Sequence, residues 1–347
     1  MPRIAKLVTL LALAAAGAVL LVAAVDNESG AAATTSASHA KGSVALAFGG
    51  DVHFEGTPGA ELASDPALVM ASIAPVLRRA DLAVVNLETA VTNGGSQVTK
   101  LFTFRAPPSA FAALRDGGVD VASMANNHGM DFGESGLRDS LAAARRYHFP
   151  VIGIGLDAKQ AYRPFRRTVN GQRIAVIGAT QVLDDELVSA WTAGPHKPGL
   201  ASAKDVPRLL QEVRAARRTS DTVVVFLHWG VELAQCPSQD QRTLAKQLVA
   251  AGADVVVGGH AHRVQGAGRL GQALVDYGLG NFVWYGTSKL STETGVLLVT
   301  VDGRRVAGYR WEPAHIVDGT PRPLTGSVRR GEISSWKRLR GCTGLKP

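Results

Sequence analysis

The chain has 347 residues, of which 46% are hydrophobic and 19% are charged, so it is long enough to bury a substantial core and too apolar to be disordered. Its 37 Lys and Arg residues against 29 Asp and Glu residues give a net charge of +8, and much of this excess lies near the two ends. A basic end suits a membrane surface or an anionic polymer. Nucleic acid is not expected as a partner, because no basic stripe is interleaved with stacking aromatic residues.

Residues 1–25 have the pattern of a targeting segment. Arg3 and Lys6 precede a largely apolar run from Leu7 to Val25, which only Thr9 interrupts. The run is either a cleaved signal peptide or a membrane anchor, since it is also long enough to span a bilayer. In both cases we expect an extracytoplasmic protein of the bacterial cell envelope, either secreted or membrane-anchored.

The rest of the chain divides by composition into a linker, a domain and a tail. Residues 26–42 are small and polar without periodicity, which is typical of a flexible linker. We expect the folded domain at 43–315 and a loosely held basic tail at 316–347. Cys236 and Cys342 are the only two cysteines, and they form either a disulfide between tail and domain or two unpaired thiols.

Within the domain, short β-branched runs alternate with helical patterns, which predicts sheets flanked by helices. The predicted strands are nearly continuous apolar runs, typical of strands buried on both faces, at 44–50, 82–88, 119–125, 151–155, 173–179, 222–228 and 254–260. Helices are predicted near 66–79, 107–117, 134–148, 204–218 and 239–252. Asp205 and Ser238 are the predicted N-cap residues of the last two helices. From 273 to 311 we expect antiparallel strands to replace the helices.

Several predicted strands end in side chains that can bind a metal or carry a proton. These are Asp51, His53, Asn86, Glu88, Asn126, Asn127, His128, His228, His260 and His262. Ligands of open α/β sheets gather outside the carboxyl ends of the strands, so residues from distant positions converge there. Helix caps or packed histidines would explain each residue separately, whereas one metal site explains all of them together.

The chemistry of these residues favours a site with two cations. Asp51 and His53 are two residues apart and can reach the same cation, and Glu88 has two oxygens with which to bridge two cations. In Gly258–His262 the glycines permit close approach and two imidazoles can ligate separately. Mixed nitrogen and oxygen ligands favour Mn, Fe or Zn over Ca, and two such cations could clamp an oxyanion and activate water. His128 could instead act as a general acid.

Six motifs follow one another through residues 44–312: Asp51-Val52-His53, Asn86-Leu87-Glu88, Asn126-Asn127-His128-Gly129-Met130-Asp131, His228-Trp229-Gly230-Val231-Glu232, Gly259-His260-Ala261-His262 and Leu279-Gly280-Asn281-Phe282. This set resembles the signature of the CapA-type poly-γ-glutamate capsule biosynthesis proteins, a family that is similar to the calcineurin-like metallophosphoesterases. The resemblance implies an α/β fold, namely a four-layer α/β/β/α sandwich of two sheets covered by helices.

The resemblance also implies roles for individual residues. His128 becomes the candidate catalytic acid, and Glu88 becomes the bridging ligand of two divalent metal ions. The other implied ligands are Asp51, His53, Asn127, His228, His260 and His262. Four further polar residues have no metal role in the phosphoesterase pattern and either contact the substrate, support the ligands or form structural caps and turns: Asn126, Asp131, Glu232 and Asn281. The phosphoesterase pattern has Gly-Asp at the bridging position, where this chain has a glutamate that is longer by one methylene.

We therefore expect a protein that supports the synthesis, export or attachment of an anionic capsule polymer such as poly-γ-glutamate. Its metal-dependent hydrolytic site would act on a phosphoester or a γ-glutamyl amide. The expected partners are this polymer or a phosphoester substrate, the membrane through the N-terminal segment, and a membrane synthase complex. The alternatives are a non-catalytic accessory that binds polymer or synthase, and a general extracytoplasmic metallophosphoesterase.

Overall fold

Strands form where the sequence has continuous β-branched and apolar runs, and helices form where apolar residues recur every three to four positions. The computed structural model describes residues 42–347. The predicted targeting segment and all but the last residue of the predicted linker therefore lie outside the described residues. Between residues 42 and 347, no helix combines the length and the hydropathy that crossing a bilayer requires.

The strands, in chain order, are β1 (Val44–Val52), β2 (Leu82–Leu87), β3 (Ala90–Val91), β4 (Arg105–Ala106), β5 (Val121–Ser123), β6 (Val151–Ile152), β7 (Ile154–Gly155), β8 (Phe165–Val169), β9 (Gln172–Thr180), β10 (Gly199–Leu200), β11 (Thr222–Trp229), β12 (Val255–His260), β13 (Ala267–Leu270), β14 (Ala273–Asp276), β15 (Asn281–Val283), β16 (Glu293–Asp302), β17 (Arg305–Val317) and β18 (Thr320–Pro323).

The helices are α1 (Thr57–Ser64), α2 (Ala74–Leu77), α3 (Ala110–Asp116), α4 (Gly133–Arg146), α5 (Ala158–Ala161), α6 (Asp185–Trp191), α7 (Val206–Thr219), α8 (Gln239–Ala251), α9 (Lys289–Thr292) and α10 (Gly326–Leu339), and a 3-10 turn follows at Arg340–Cys342.

Two large sheets carry the fold. The first has eight strands in the order β18-β17-β16-β1-β2-β5-β6, with β15 also paired to β1. The second has six strands in the order β13-β14-β12-β11-β9-β8. Two small sheets, β7 with β10 and β3 with β4, complete the set. In each large sheet the central pairs β1–β2 and β11–β12 are parallel, so their carboxyl ends lie at the same edge.

Three buried apolar clusters separate four layers of structure. One cluster lies between the two sheets and contains Phe48, Val84 and Phe226. A second packs the outer face of the first sheet against α1 to α4, and a third packs the outer face of the second sheet against α7 and α8. Neighbouring strand residues serve opposite faces, as Val84 and Val85 do, because side chains alternate along a strand. The predicted four-layer α/β/β/α sandwich is confirmed.

Most predicted elements are present within one or two residues of the predicted bounds. The predicted caps are also confirmed: the side chains of Asp205 and Ser238 accept hydrogen bonds from the backbone N–H of Arg208 and Gln241. The run 151–155 is divided between two sheets, because β6 and β7 pair with different strands.

Two predictions about secondary structure are wrong. The helix expected near 66–79 is a series of turns that ends in the short helix α2, because Pro75 has no N–H with which to continue a helix from the preceding turn and stands instead in the first turn of α2. The strands of 273–311 are not all antiparallel, since β14 runs parallel to β12 and β15 runs parallel to β1.

The prediction of a loosely held C-terminal tail is also wrong. This segment adds β18 to the first sheet and forms α10, whose Trp336 stacks on Trp311 with ring centroids 5.7 Å apart. Cys342 forms a disulfide with Cys236, which is one of the two alternatives left open by the sequence. Trp336 is the only residue of α10 that is buried, so the helix has no apolar periodicity from which to predict it.

Candidate metal centre

The candidate residues converge because the parallel strands end together. Asp51, near the end of β1, lies in register with Asn86 of β2 on one side and with Asn281 of β15 on the other. In the second sheet His228 of β11 lies opposite Gly259 of β12, next to His260. Residues that are more than 200 positions apart are thereby close neighbours, as shown by the backbone N–H of His260, which donates to Oδ2 of Asp51 at 2.9 Å.

The carboxylate of Glu88 belongs to two groups of metal-capable side chains at once. One group is Asp51, Glu88 and His262, and the other is Glu88, His228 and His260, with the ligand atoms of each group within 4.8 Å of one another. Oε1 of Glu88 lies 3.3 Å from Nε2 of His228. In the first group, Nδ1 of His262 lies 3.5 Å from Oδ2 of Asp51. Glu88 is therefore the residue that joins the two groups.

The two remaining predicted ligands border the same groups. Oδ1 of Asn127 lies 2.8 Å from Nε2 of His228. His53 is fully buried, and its Nδ1 accepts a hydrogen bond from the backbone N–H of Glu55 at 3.1 Å. Its ring stacks on Phe104 with centroids 4.6 Å apart and meets the edge of Trp284 at 4.0 Å. This packing leaves Nε2 of His53 as the atom available for a ligand.

Three buried ligand atoms of this cluster have no hydrogen-bond partner among the described residues: Nε2 of His53, Oε1 of Glu88 and Nδ1 of His260. An unpartnered buried polar atom costs roughly 1–3 kcal/mol, so native structures seldom keep several together. Divalent cations would satisfy these atoms, and imidazole nitrogens with carboxylate oxygens are the donor set that Mn, Fe and Zn accept. The residues present therefore fit a pair of divalent cations.

Burial keeps most of the histidines in the neutral form that ligates metals. It lowers the pKa of His228 to about 3 and lowers the pKa values of His53 and His260 well below the usual value. Burial, with help from the charge of Asp51, raises the pKa of Glu88 to about 8. Burial would also lower the pKa of His262, but the nearby carboxylates of Glu88 and Asp51 outweigh it and raise that pKa.

The backbone around the histidine pair is adapted to close approach. His260 and His262 have φ values of 88° and 52°, in a region that residues other than glycine rarely adopt and that often marks functional sites. A Cβ atom at Gly259 would lie 2.2 Å from Oδ1 of Asp51, so only glycine lets this strand approach the aspartate. The close approach of the strand to Asp51 therefore explains why the residue before His260 is a glycine.

His128 lies beside the metal groups within a chain of hydrogen bonds. Its Nε2 lies 4.0 Å from Oε1 of Glu88, and its Nδ1 lies 2.5 Å from Oδ2 of Asp131. Asp131 also accepts from Nζ of Lys100 at 2.8 Å and from the backbone N–H of Phe104 at 2.7 Å. Asp131 therefore holds the imidazole in place, and Lys100 and Phe104 hold Asp131.

The other residues predicted as contacts take different places. Nδ2 of Asn126 donates to the backbone oxygen of Leu87 at 2.9 Å and to Asn86, which places it behind the ligands. Oδ1 of Asn281 lies 2.8 Å from Nδ1 of His262. Glu232 is exposed and forms a third metal-capable group with His260 and His262. The roles of these residues and of the ligands stay predictions.

The sequence did not predict that Asn86 contacts both groups of ligands. It also did not predict that Lys100, Phe104 and Trp284 belong to the surroundings of the site. Nδ2 of Asn86 donates to Oδ1 of Asp51 at 2.8 Å and lies 3.1 Å from Nδ1 of His228, so one amide contacts both groups. Its position at the end of β2 was visible in the sequence, although no role was assigned to it. Lys100 had no comparable signal, because it lies in a loop without an apolar pattern.

The four-layer α/β/β/α sandwich agrees with the fold that the resemblance seen in the sequence implied. Residues 45–285 match the family model described as bacterial capsule synthesis protein PGA_cap. The chain belongs to this family, and the resemblance seen in the sequence is confirmed.

Two curated relatives agree with this membership. The chain is 29% identical over 274 residues to the capsule biosynthesis protein CapA of Bacillus anthracis, a match that covers 76% of this chain and 65% of that protein. It is 28% identical over 255 residues to the PGA biosynthesis protein CapA of Bacillus subtilis strain 168, covering 73% of this chain and 66% of that one. In both cases the match spans slightly less than two thirds of the relative.

Among solved structures, the chain is similar to a hypothetical protein from Thermus thermophilus. The TM-score is 0.52 and the sequence identity is 19%, and the match covers 79% of this chain and 100% of the other. This likeness supports the fold alone.

Proposed function

We propose that this protein acts in the synthesis, export or attachment of a poly-γ-glutamate capsule, through a metal-dependent hydrolytic site that cleaves a γ-glutamyl amide or a phosphoester. The family and the two Bacillus relatives, which are a capsule biosynthesis protein and a PGA biosynthesis protein, support a role with the capsule polymer. The proposed location is extracytoplasmic, on the basis of the apolar run near the N-terminus. The match covers only about two thirds of each relative, so the activity of the complete relatives comes to this chain only as a proposal.

The observation that carries the hydrolytic site is the sharing of Glu88 between two groups of ligands. Asp51, His53, Glu88 and His262 would hold one divalent cation. Glu88, Asn127, His228 and His260 would hold the other. When bound, such a pair supplies Lewis-acid stabilisation to the oxygen that gains negative charge during acyl or phosphoryl transfer. A binding module has no need of a ligand set of this kind beside a proton donor.

In this proposal His128 protonates the leaving group. An ionised carboxylate only accepts hydrogen bonds, so Nδ1–H of His128 donates to Asp131 and Nε2 faces the ligands. Phe104 stacks on a face of the imidazole with ring centroids 4.1 Å apart, which keeps the ring in one orientation. The proton at Nε2 is then positioned for the nitrogen of a γ-glutamyl amide or the oxygen of a phosphoester.

The aromatic side chains around the ligands exclude water from one side of the centre. Phe104 and Trp284 are buried, and both contact the ring of His53. Trp284 also packs on His262 with centroids 4.4 Å apart. A low-dielectric wall of this kind strengthens every charge interaction at the site and supports chemistry that develops negative charge.

The test measures metal content and turnover in the purified full chain after loading with Mn or Zn. We expect two equivalents of metal and cleavage of a phosphodiester or a γ-linked glutamate oligomer. An Asp51→Ala/His260→Ala variant should lose both. The His128→Ala variant should keep the metal but lose roughly 100-fold or more in turnover, whereas His196→Ala, at an exposed histidine outside the site, should match the wild type.

The outcomes separate the hydrolase from its alternatives. A wild type that binds no metal would overturn the metal site. A wild type that binds two metals and cleaves neither substrate would favour the non-catalytic accessory. Cleavage of the phosphodiester alone would favour a general metallophosphoesterase.

A further inference from the structure

A cavity of about 660 Å³ lies between α10 and the first sheet. Its walls come from α9, β16, β17 and α10, and the Cys236–Cys342 disulfide closes one side. The volume falls within the roughly 300–1,000 Å³ typical of sites for small ligands. None of the candidate metal ligands lines it.

Two polar atoms of the lining residues are unsatisfied. Nε1 of Trp336 and Nε2 of His315 are both buried and have no hydrogen-bond partner among residues 42–347. Trp336 is only 5% exposed, and an indole N–H is a donor without any acceptor capacity. These two atoms have essentially no accessible surface, so they border the cavity without opening onto it, and the polar groups that a ligand can reach are the charged side chains.

The charged side chains of the cavity have no ion-pair partners among the described residues. Arg263, Lys289 and Arg338 line it, and none of them forms an ion pair with a carboxylate of residues 42–347. Glu293 and Glu332 line it as well and likewise form no ion pair there, which leaves one positive charge in excess. A ligand with several carboxylates would satisfy the three cations, and amide N–H groups on the same ligand would satisfy the two acids.

The apolar residues on one side of the cavity, which we call its floor, favour a ligand that also has apolar groups. The rings of Trp311 and Trp336 lie 9° from parallel, and Pro313 and Ala314 continue the surface along β17. A phosphate ion would leave this floor without contact. A γ-linked glutamyl chain carries in each unit a carboxylate, an amide and two methylene groups, and its methylenes can pack on the indole rings.

Two connections link the residues of the cavity to the candidate metal centre. Arg263 directly follows His262, whose Nδ1 lies 2.8 Å from Oδ1 of Asn281. Nδ2 of Asn281 donates to the backbone oxygen of Ser291 at 2.9 Å, and Ser291 belongs to α9, the helix that supplies Lys289 to the cavity. A polymer held in the cavity would thus have a neighbouring part close to the ligands.

We propose that this cavity is a subsite for the carboxylate-bearing polymer, in which the basic residues and Trp336 bind a segment of γ-linked glutamyl chain beside the metal centre. The inference rests on the proposed function, because that function supplies the class of polymer. No candidate metal ligand lines the cavity, so the polymer should bind there with or without metal. Binding to the cavity can therefore be tested separately from hydrolysis.

The test measures binding of a γ-linked glutamate oligomer to the full chain by titration calorimetry, with and without metal. The Lys289→Ala/Arg338→Ala variant should bind roughly tenfold or more weakly, because two charge-assisted contacts are lost. Arg322→Ala/Arg330→Ala removes the same charge from exposed positions outside the cavity and should bind as the wild type does. Ser335→Trp, which fills the cavity from α10, should also weaken binding.

Equal binding by the Lys289→Ala/Arg338→Ala variant and the wild type would overturn the subsite, as would a wild type that does not bind the oligomer. Equal weakening in the exposed control would show an effect of net charge and overturn it too. Metal content should be unchanged in the cavity variants, because no candidate metal ligand lines the cavity. A wild type that binds the oligomer through the cavity but holds no metal would keep this inference and overturn the hydrolase.

Discussion

Glu88 beside the first sheet and Asp276 in the second are both fully buried carboxyl groups, but their neighbours differ. Burial raises the pKa of Glu88 to about 8 and that of Asp276 to about 7. Each keeps one oxygen without a hydrogen-bond partner among the described residues. Around Glu88, however, lie metal-capable side chains from both sheets, whereas Asp276 accepts a hydrogen bond from the backbone N–H of Gly278 at 3.0 Å.

The comparison of Glu88 with Asp276 shows that burial and a raised pKa alone do not define a metal site. Asp276 is in none of the metal-capable groups of residues 42–347, and we interpret it as a core carboxyl group that keeps its proton up to about pH 7. Glu88 has histidines kept neutral by burial within ligand distance, so a cation can replace its proton. Convergence of strand ends, rather than the carboxyl group itself, separates the two regions.

The largest effect is expected from Glu88→Gln. Removing the shared carboxylate weakens both groups at once, so both metal equivalents should be lost, with affinity lower by roughly 100-fold or more. Glutamine has almost the same shape as the protonated acid, so the metal-free variant should stay folded. Elemental analysis and metal titration of the purified chain measure the effect.

Asp276→Asn is the matched control for that experiment, since it makes the same kind of change at the other buried carboxyl. It should leave the metal content of the wild type unaltered. If Glu88→Gln kept both metals, or if Asp276→Asn lost them, the distinction between the two regions would be wrong.

The second largest effect is the contribution of Asp276 to the pH dependence of the free energy of unfolding. Its pKa is near 3.8 in the unfolded chain and about 7 in the folded one. Below pH 3.8 both states are protonated and the stabilisation is complete. As the pH rises toward 7, the unfolded state releases its proton first, so the free energy of unfolding decreases, and above pH 7 it no longer changes through this group. The change should amount to about 1–4 kcal/mol.

Urea unfolding of wild type and Asp276→Asn at several pH values measures this contribution. The amide adds a constant cost of its own, so the informative quantity is the difference between the two proteins. That difference should shift in favour of the variant between pH 4 and 7 and then stay level. A difference that is independent of pH would show that Asp276 is ionised in the folded protein.

Much of the fold and of the candidate ligand set could be predicted from the sequence, because both depend on local patterns. Apolar runs such as 222–228 and 254–260 predicted buried strands, and the polar residues that end them were visible by inspection. Parallel pairing then brings the strand ends to one edge. No distance was needed to expect that His228 and His260 would be neighbours.

What could not be predicted depends on packing between segments that have no periodic pattern. Lys100 reaches Asp131 only because the loop before β4 folds onto the turn after β5. The C-terminal helix is held by Trp336 and a disulfide, and neither produces an amphipathic repeat. The parallel pairing of β15 with β1 likewise has no signature in a three-residue strand.

The smallest effect, a loss of turnover without loss of metal, is expected from a change at Lys100, whose charge also acts on Glu88. Its charge acts against burial to lower the pKa of Glu88, and its Nζ donates to Asp131 and to the backbone oxygen of Asn127. Replacing it in Lys100→Met leaves all metal ligands in place but frees one oxygen of the carboxylate that orients His128. We expect metal content to be unchanged and kcat for the phosphodiester to fall roughly tenfold, with KM little altered.

Lys100→Arg should recover part of the lost rate, because an arginine can still donate to Asp131. Lys159→Met, at an exposed lysine on α5, should behave as the wild type. Loss of metal in Lys100→Met would mean that the lysine supports the ligands through Asn127 rather than through His128. In that case Lys100 would belong to the region of Glu88 as part of the metal site, and the hydrogen-bonded chain Lys100–Asp131–His128 would have no separate role in proton transfer.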